Sequence, residues 1–446
     1  MLLIRNATII NEGVSVNGSV LIKNDKIDTI YYDIVPDHIA NQSTIIEAEG
    51  LYLMPGVIDD QVHFREPGLT HKGDIQSESR AAIAGGVTSY MEMPNTNPQT
   101  ITIDEWEKKN ELAHGKSYAN YAFYLGATND NLTELKKATS KHLCGIKVFM
   151  GASTGNMLVD DKKTLQSIFA EVDMLIATHC EKESIIRKNI DKYKKEFGED
   201  EVPIKYHPFI RSAEACYESS AEAIEMADRY GSRLHVLHLS TGQEMRLFDA
   251  KPLLEKKITA EVCVHHLWFA DEDYDRLGTR IKWNPAVKTK RDRDELRNAV
   301  LENKLDVIAT DHAPHTLQEK EGGALTAASG GPLVQHSLQM MMQLVTDGVY
   351  SKEQVIEKMC HAPAKLFGVK QRGFIRKGYF ADLVLVNPNK SYTVTKDNIL
   401  YKCGWSPLEG ETLSSNIQTT ILNGKVVFHN GEVLGKPSGQ ELEFVR

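Results

Sequence analysis

The sequence predicts an α/β protein in which a TIM-like (β/α)8 barrel carries a small β-sandwich domain formed by both termini. Three observations favour this fold. Strand-like apolar runs alternate with amphipathic segments through the middle of the chain, both ends contain only strand and turn patterns, and polar side chains follow almost every central strand. We therefore predict a barrel at residues 55–370 and a small domain made from residues 1–54 and 371–446.

The two ends of the chain share an all-β pattern. Their β-prone runs lie at residues 2–4, 8–10, 19–22, 382–386, 419–422 and 425–428. Turn dipeptides such as Asn17-Gly18 and Asn423-Gly424 separate neighbouring runs. Because the two ends of a chain often lie close together, we expect one domain that uses strands from both.

The middle of the chain supplies eight β-α units. Its strand-like runs lie at residues 57–58, 88–93, 121–125, 145–150, 174–179, 233–239, 258–262 and 305–310. Amphipathic stretches such as residues 76–84 and 212–230 separate these runs and predict helices. Residues 317–331 follow the last strand and are rich in Gly, Ala and Ser, so we predict a mobile lid there.

Composition narrows the class of protein and its partners. The chain has 52 basic and 61 acidic residues, a net charge of −9, which argues against a nucleic-acid-binding surface. Its 6 cysteines are scattered without a Cys-x-x-Cys pair, as in the reduced thiols of a cytoplasmic protein. There is no signal-peptide pattern and no apolar run of membrane-spanning length. We expect a cytoplasmic protein with a small-molecule substrate and neither nucleic-acid nor membrane partners.

Three polar side chains lie at the end of the first barrel strand. Gln61, His63 and Arg65 alternate with Val62 and Phe64, so on a strand the three polar groups point the same way. Burying all three without partners would be costly. We therefore expect them to meet a metal ion, a ligand or one another.

Later strands end in side chains that suit a metal centre. His63 is joined at strand ends by Lys147, His179, His238 and Asp311. Imidazoles with a carboxylate bind zinc-like ions, and the C-terminal face of such a barrel carries the active site. A cationic Lys147 would repel a metal ion, whereas a neutral lysine can react with carbon dioxide to give a carbamate that bridges two metals.

Simpler structural interpretations apply to several of these residues. Lys147 alone could be a snorkelling lysine, and Asp311 could merely cap the following turn. We interpret His235 as a hydrogen-bonded core residue, and His265 and His266 as supports of the barrel end. The metal interpretation of the other histidines depends on their shared position at strand ends.

Taken together, these motifs resemble the amidohydrolase superfamily and, within it, the dihydroorotases. The match runs along nearly the whole chain. The superfamily's first-strand motif is matched by Pro-Gly-Val-Ile-Asp at residues 55–59, and the more specific dihydroorotase motifs lie at residues 65–68, 93–98, 237–241, 283–285, 308–315 and 404–407. Each motif alone is weak evidence, but their order along the chain is specific.

The resemblance implies a metal-dependent hydrolase that cyclises N-carbamoyl-L-aspartate reversibly to (S)-dihydroorotate in de novo pyrimidine biosynthesis. It implies two Zn²⁺ ions per subunit, bridged by an N-carboxylated Lys147. The metal ligands would be Gln61, His63, Lys147, His179, His238 and Asp311, of which Asp311 would also be catalytic and carry the proton. The substrate would be bound by Arg65 at its carboxylate, by Asn95 and His315, and at the other ring edge by Asn284, Gly330 and Gly331.

Two departures from the family pattern leave alternatives open. The family's first-strand motif is His-x-His, but Gln61 occupies the first position, and a glutamine carbonyl is a poorer metal ligand than imidazole. Many relatives bridge their metals with an aspartate in place of a carboxylated lysine. Asp160 and Asp161, which follow Lys147 in the chain, keep that option open here.

Other functions within and outside the superfamily also remain. A hydantoinase or allantoinase would share the fold, the metals and cyclic-amide hydrolysis, but Arg65 argues against these because a hydantoin has no ring carboxylate. A non-catalytic homologue that acts as a structural partner of aspartate transcarbamoylase is favoured only by Gln61. We expect a homodimer, with aspartate transcarbamoylase as a possible further partner.

Overall fold

The computed structural model describes residues 1–151, 156–198 and 202–445. The N-terminal part contains β1 (Leu2–Asn11), β2 (Val14–Lys23), β3 (Lys26–Tyr31), α1 (Asp37–Asn41), β4 (Thr44–Glu47) and β5 (Tyr52–Pro55). The central strands are β6 (Val57–Val62), β7 (Val87–Glu92), β8 (Asn120–Phe123), β9 (Leu125–Gly126), β10 (Ile146–Phe149), β11 (Ile176–His179), β12 (Leu234–Val236), β13 (Ile258–Cys263) and β14 (Val307–Ala309).

Helices separate and follow these central strands. They are α2 (Ile75–Ala84), α3 (Ile103–Ala113), α4 (Leu132–Leu135), α5 (Lys162–Glu171), α6 (Glu183–Phe197), α7 (His207–Ile210), α8 (Ala213–Tyr230), α9 (Val264–Trp268), α10 (Tyr274–Leu277), α11 (Lys290–Leu301), α12 (Ser337–Thr346), α13 (Lys352–Ile356) and α14 (Ala362–Phe367). The C-terminal strands are β15 (Leu383–Asn387), β16 (Tyr392–Thr393), β17 (Thr412–Leu413), β18 (Asn416–Leu422), β19 (Lys425–His429) and β20 (Glu432–Val433).

The central strands form the predicted barrel. Strands β6, β7 and β8 pair in parallel, and β9 to β14 form a second parallel run. Only Tyr124 separates β8 from β9, so the two segments act as one strand and the barrel has eight. The barrel closes where the His63 amide donates to the His312 carbonyl at 2.7 Å, beside a parallel bridge between Val62 and His312.

Local sequence explains these elements. Every residue of β6, β10 and β11 is buried, because helices and the barrel interior cover both faces of a parallel sheet. Helix α8 begins after Ser212, whose hydroxyl accepts from the Ala215 amide, and ends at Gly231, whose φ of +73° suits a left-handed cap. Strands and helices thus alternate along the central part of the chain, as the sequence predicts.

Both ends of the chain contribute to one mixed sheet of nine strands. Strand β5 joins its two halves, because it pairs in parallel with β1 and antiparallel with β15. The shared terminal domain is therefore confirmed, while the boundaries at residues 54 and 370 stay predictions. The final residues return to the barrel, where the Tyr121 amide donates to Gln440 at 2.9 Å. No helix in the described part of the chain is both long and apolar enough to cross a membrane.

Candidate active site

A cavity of about 710 Å³ opens where the central strands end. Eleven of the twelve residues predicted for the site line it: Gln61, His63, Arg65, Asn95, Lys147, His179, His238, Asn284, Asp311, His315 and Gly330. Gly331 does not line this cavity. The carboxyl ends of parallel strands meet at one face of a barrel, so residues far apart in sequence converge there.

Two histidines bring ring nitrogens together on one side of the cavity. His179 Nδ1 lies 2.9 Å from His238 Nε2, and the other nitrogen of His179 lies 2.9 Å from Glu181 Oε2. Burial alone would raise the pKa of Glu181, but Arg211 and His179 lower it to about 2, so it accepts the proton of His179 Nε2 as a carboxylate. Burial also lowers the pKa of both histidines, which favours the neutral form that binds metal ions.

Lys147 lies beside these histidines as a buried amine. Burial lowers its pKa to about 8, which increases the neutral fraction that can react with carbon dioxide. Its Nζ lies 4.7 Å from the centre of the Phe149 ring and makes no hydrogen bond within the described part of the chain. By contrast, Asp160 and Asp161 are exposed and do not line the cavity, and Asp161 caps α5 by accepting from the Thr164 amide at 2.7 Å. This geometry favours Lys147 over either aspartate as the bridging group.

Gln61, His63 and Asp311 form the opposite side. Asp311 Oδ1 lies 3.1 Å from both Gln61 Nε2 and His63 Nε2. His63 Nδ1 lies 2.8 Å from Asn95 Oδ1, which accepts its proton and leaves the Nε2 lone pair facing a carboxylate oxygen. A bound cation would stabilise that contact, so His63 and Asp311 fit a divalent metal as His179 and His238 do.

Gln61 fits a metal less well than its neighbours. Its amide nitrogen, rather than its oxygen, faces Asp311, because the carboxylate needs a donor. Its oxygen faces the Cys263 thiol, with a sulfur–oxygen distance of 3.8 Å. Metal ligation by Gln61 therefore requires the amide to rotate, and its assignment as a ligand stays a prediction.

Arg65 lines the cavity as a buried cation. The residue is 7% exposed, and burial lowers the pKa of its guanidinium to about 10. Its Nε donates to the Pro314 carbonyl at 3.0 Å, and Nη2 lies 3.0 Å from His315 Nε2. Among the residues that the structure describes, Arg65 has no carboxylate partner. A buried guanidinium without an acid is a binding site for an anion.

His315 cannot satisfy both cations that face it. Lys72 Nζ lies 3.1 Å from Nδ1 of His315, while Arg65 faces Nε2, and a neutral imidazole accepts at only one nitrogen. His315 Nε2 also lies 3.1 Å from the Ser329 carbonyl, to which it donates when Nδ1 accepts from Lys72. Lys72 has a second partner in Glu319 at 2.9 Å. When His315 pairs with Lys72 in this way, the Arg65 guanidinium keeps N–H donors that have no acceptor among the described residues.

Asn284 and Gly330 are the remaining predicted residues that line the cavity. The side-chain oxygen of Asn284 is buried and has no partner among the described residues, so it is free for a ligand. Gly330 has a φ of +128°, and a Cβ there would lie 2.6 Å from the Ala313 carbonyl, so only glycine fits. Gly331 does not line the cavity, and a Cβ there would come within 2.7 Å of the Trp283 ring.

Strand-end reasoning missed Lys72 and Arg211, which also line the cavity. Lys72 is seven residues beyond Arg65 in a loop, and Arg211 directly follows α7, so neither lies at a strand end. His235 is a core residue as predicted, with Nε2 3.2 Å from Asp60 and 3.7 Å from Glu261. His266 donates to the Pro285 carbonyl at 3.1 Å, as expected of a supporting residue.

Comparisons with known proteins show the family to which the chain belongs. The family model described as "Amidohydrolase family" matches residues 52–427. The chain is 30% identical to a dihydroorotase of Methanosphaera stadtmanae, covering 93% of this chain and 94% of that protein. It is 31% identical to a dihydroorotase of Pyrococcus furiosus (88% and 86% covered) and 29% identical to an allantoinase of Bacillus velezensis (96% and 94% covered).

Solved structures give the same fold. The L-hydantoinase (dihydropyrimidinase) of Arthrobacter aurescens superposes with a TM-score of 0.93 at 27% identity, covering 99% of both chains. A dihydropyrimidinase of Brevibacillus agri superposes with a TM-score of 0.89 at 24% identity, covering 100% of this chain and 99% of that one. These matches confirm the predicted fold class and indicate a cyclic amidohydrolase of the dihydroorotase, hydantoinase and allantoinase group. The chain belongs to the amidohydrolase family.

Proposed function

We propose that this protein is a dihydroorotase, which interconverts N-carbamoyl-L-aspartate and (S)-dihydroorotate in de novo pyrimidine synthesis. The observation that carries the proposal is the buried Arg65 guanidinium, which lines the cavity without a carboxylate partner in the described part of the chain. Dihydroorotate carries a carboxylate on its ring, and a planar guanidinium binds a carboxylate with two parallel hydrogen bonds.

The other groups near Arg65 suit the same ligand. Asn95 and His315 line the cavity beside it, and Lys72 adds a second cation. Asn284 also lines the cavity, and its unpartnered side-chain oxygen can accept from a ring N–H; the backbone at Gly330 lines the same cavity. A ring with a carboxylate and an amide would therefore find a matching group for each in this cavity. Gly331 would act indirectly, by supporting Gly330.

We propose that two Zn²⁺ ions bind with a carboxylated Lys147 between them. His179 and His238 would hold one ion, and His63, Asp311 and more weakly Gln61 would hold the other. Bound divalent cations acidify water and polarise an amide carbonyl, the two activations that hydrolysis of a ring amide needs. The ring nitrogens and carboxylate oxygens described above are the donor types that zinc prefers.

Asp311 would move the proton. It would accept a proton from the attacking water and deliver it to the nitrogen that leaves when the ring amide opens. Gln61 and His63 both contact its Oδ1, so Oδ2 is the oxygen left for this transfer within the described structure. Arg65 would hold the substrate carboxylate during the reaction and so orient the amide carbon toward Asp311.

Hydantoinase activity is the main competing proposal, because the Arthrobacter L-hydantoinase has the same fold over 99% of this chain. Hydantoin, dihydrouracil and allantoin lack a ring carboxylate, so in this cavity Arg65 would stay unpaired when they bind. A buried charge without a partner weakens binding strongly. A purely structural partner of aspartate transcarbamoylase is disfavoured by the converging donors around Lys147.

The test compares hydrolysis of dihydroorotate, hydantoin, dihydrouracil and allantoin by the zinc-loaded protein. We expect kcat/KM for dihydroorotate to exceed that for each uncharged ring by roughly 10²-fold or more, because a site built for a polar group rejects analogues without it. Equal or better turnover of an uncharged ring would contradict the proposal.

We also propose a cytoplasmic homodimer, with aspartate transcarbamoylase as a possible partner. Light scattering of the protein alone, and of its mixtures with that enzyme, would check both.

A further inference from the structure

Lys320 is a buried lysine outside the proposed chemistry, with only 2% of its surface exposed. Its Nζ donates to the backbone carbonyls of Lys282 at 3.2 Å, Ala328 at 2.8 Å and Gly330 at 2.7 Å. The three carbonyls can accept from all three protons of an ammonium, while burial lowers the pKa of Lys320 well below its ordinary value. No carboxylate pairs with it among the residues that the structure describes, although burying an unpaired charge is costly. We therefore expect this buried lysine to have a structural or functional role.

Lys282 continues the same pattern. It is also buried, its Nζ donates to the Ala327 carbonyl, and its own carbonyl accepts from the Gly330 amide at 2.8 Å. The Ser329 carbonyl accepts from His315 Nε2 at 3.1 Å. All four carbonyls of residues 327–330 are therefore held by side chains, three of them by the two lysines.

The segment that these lysines hold forms one wall of the active-site cavity. Ala328, Ser329 and Gly330 line the cavity together with the proposed metal-binding residues. The amide of Ala328 donates to the Glu319 carbonyl and that of Gly330 to the Lys282 carbonyl, each at 2.8 Å. Most backbone N–H and C=O groups of residues 327–330 therefore have hydrogen-bond partners within the protein. Apolar packing contributes little, since the segment is made of Gly, Ala and Ser. The predicted lid is thus anchored by hydrogen bonds from the side-chain nitrogens of Lys320 and Lys282.

We infer that Lys320 and Lys282 are positioning residues, which hold residues 327–330 in the shape that receives the ring of the substrate. The identity of that ring rests on the proposed function, but the anchoring of the wall does not. A neutral side chain of similar length at position 320 would fill the space and leave the carbonyls of Ala328 and Gly330 without donors. The wall would then open toward water to satisfy them.

The experiment compares Lys320→Met with Lys358→Met in the full-length protein. Lys358 is a matched control, because it too is buried and donates to a backbone carbonyl, that of Leu305 at 2.7 Å, but at the opposite end of β14. Hydrogen exchange of residues 316–331 is measured without substrate, and dihydroorotate kinetics are measured with it. Lys320→Met is expected to speed exchange of the Ala328 and Gly330 amides about tenfold or more, while Lys358→Met leaves them unchanged.

The kinetic readout separates positioning from general destabilisation. Lys320→Met should raise KM roughly tenfold with a smaller change in kcat, because the wall binds the ring and does not touch the reacting carbon. Unchanged exchange in Lys320→Met, or equal acceleration in Lys358→Met, would overturn the inference. If Lys320→Met does not fold, Lys282→Met, which removes only the donor to Ala327, must loosen the segment or the inference fails. Faster exchange in a protein that does not hydrolyse dihydroorotate would contradict the proposed function alone.

Discussion

Arg65 is the single residue on which the substrate proposal depends. Its backbone has a φ of +71°, an unusual conformation for arginine. This conformation follows the end of the first barrel strand, β6, and the Arg65 side chain lines the cavity. The guanidinium is planar and forked, whereas a lysine ammonium is a point charge, so charge alone does not reproduce its geometry.

We therefore expect Arg65→Lys to lower kcat/KM for dihydroorotate by about 10²-fold or more, although the charge is kept. Steady-state kinetics of the zinc-loaded variant provide the measurement. Arg276→Lys is the control, because Arg276 pairs with Glu411 at 2.9 Å on the surface and should tolerate the same change. Near-normal kinetics in Arg65→Lys would mean that the substrate carboxylate binds elsewhere.

Gln61 is the residue at which the chain departs from its family. Its amide nitrogen bonds Asp311 and its oxygen faces Cys263, so the side chain now supports Asp311 instead of presenting a strong metal donor. With His63, Lys147 and Asp311 still available, the ion beside His63 would keep three other protein ligands.

We expect two Zn²⁺ ions to bind, with the one beside His63 released first to a chelator. Gln61→His should tighten that ion by roughly 10-fold or more, because imidazole is the stronger ligand. Metal titration of both forms, followed by site occupancy in crystals, provides the measurement. A wild-type protein that is fully active with no metal beside His63 would refute the two-metal proposal. If it binds none there and is also inactive, the structural-partner alternative is favoured.

Asp311 is proposed as both a metal ligand and a proton carrier. An asparagine keeps an oxygen that can face a metal ion, but it cannot carry the proton. Asp311→Asn keeps the size of the side chain but removes its basic oxygen. We expect a loss of about 10³-fold or more in both cyclisation and hydrolysis, with the thermal unfolding temperature nearly unchanged. Both reaction directions are measured at saturating zinc. Substantial activity in the metal-loaded variant would assign the base to another group.

At the scale of elements, a buried ion pair joins β7 to α3 just below the active site. Lys109 Nζ lies 3.0 Å from Glu92 Oε2, and both side chains are fully buried. Glu92 also accepts from the Phe64 amide at 2.9 Å, next to His63 and Arg65. The pair therefore helps to hold the end of the first strand, which carries three of the proposed site residues.

Lys109→Met should reduce the free energy of unfolding by about 3–5 kcal/mol, because it leaves the Glu92 carboxylate buried without its cation. Denaturant unfolding provides the measurement. The neighbouring Lys108 offers a matched control on the same helix, since its pairs with Asp104 and Glu105 are exposed. Lys108→Met should leave the stability nearly unchanged, because exposed ion pairs contribute little. Equal effects of the two substitutions would show that the buried pair has no special structural role.

At the scale of the whole molecule, a buried polar network ties the terminal sheet to the barrel. Arg372 donates to Asp382 and, at 2.8 Å, to Asn423, whose backbone amide donates to the same aspartate. Asn120, at the start of β8 in the barrel, donates to Asp382 at 3.1 Å. The Asp382 carboxylate, directly before β15, thus connects barrel strand β8 with Arg372 and with the turn that follows β18.

Arg372→Met should therefore destabilise the protein by about 3–5 kcal/mol, because Asp382 would remain buried without its cation. Arg376→Met is the control, since Arg376 pairs with Glu12 at the surface. Calorimetry and denaturant unfolding provide the measurements. A loss in Arg372→Met no larger than that in the control would show that the network does not couple the two parts of the molecule.

The sequence by itself determined the barrel, the terminal sheet and most of the site. These depend on local patterns: apolar runs of strand length, helical amphipathicity, and the parity that puts Gln61, His63 and Arg65 on one side of a strand. Because parallel strands of a barrel all end at one face, polar residues at strand ends predict a shared site without any knowledge of contacts. Gly331 came from the family resemblance and not from a strand end; it does not line the cavity, a Cβ there would meet Trp283, and its part in substrate binding stays a prediction.

Only the tertiary structure decided how these side chains are used. Nothing local distinguishes Asp160 and Asp161 from a bridging carboxylate, but the fold leaves both exposed and outside the cavity. The orientation of the Gln61 amide depends on Asp311 and Cys263, and the anchoring role of Lys320 depends on carbonyls of another segment. These contacts join residues far apart in sequence, and the energy of a buried polar group is set by the partners that the fold brings to it.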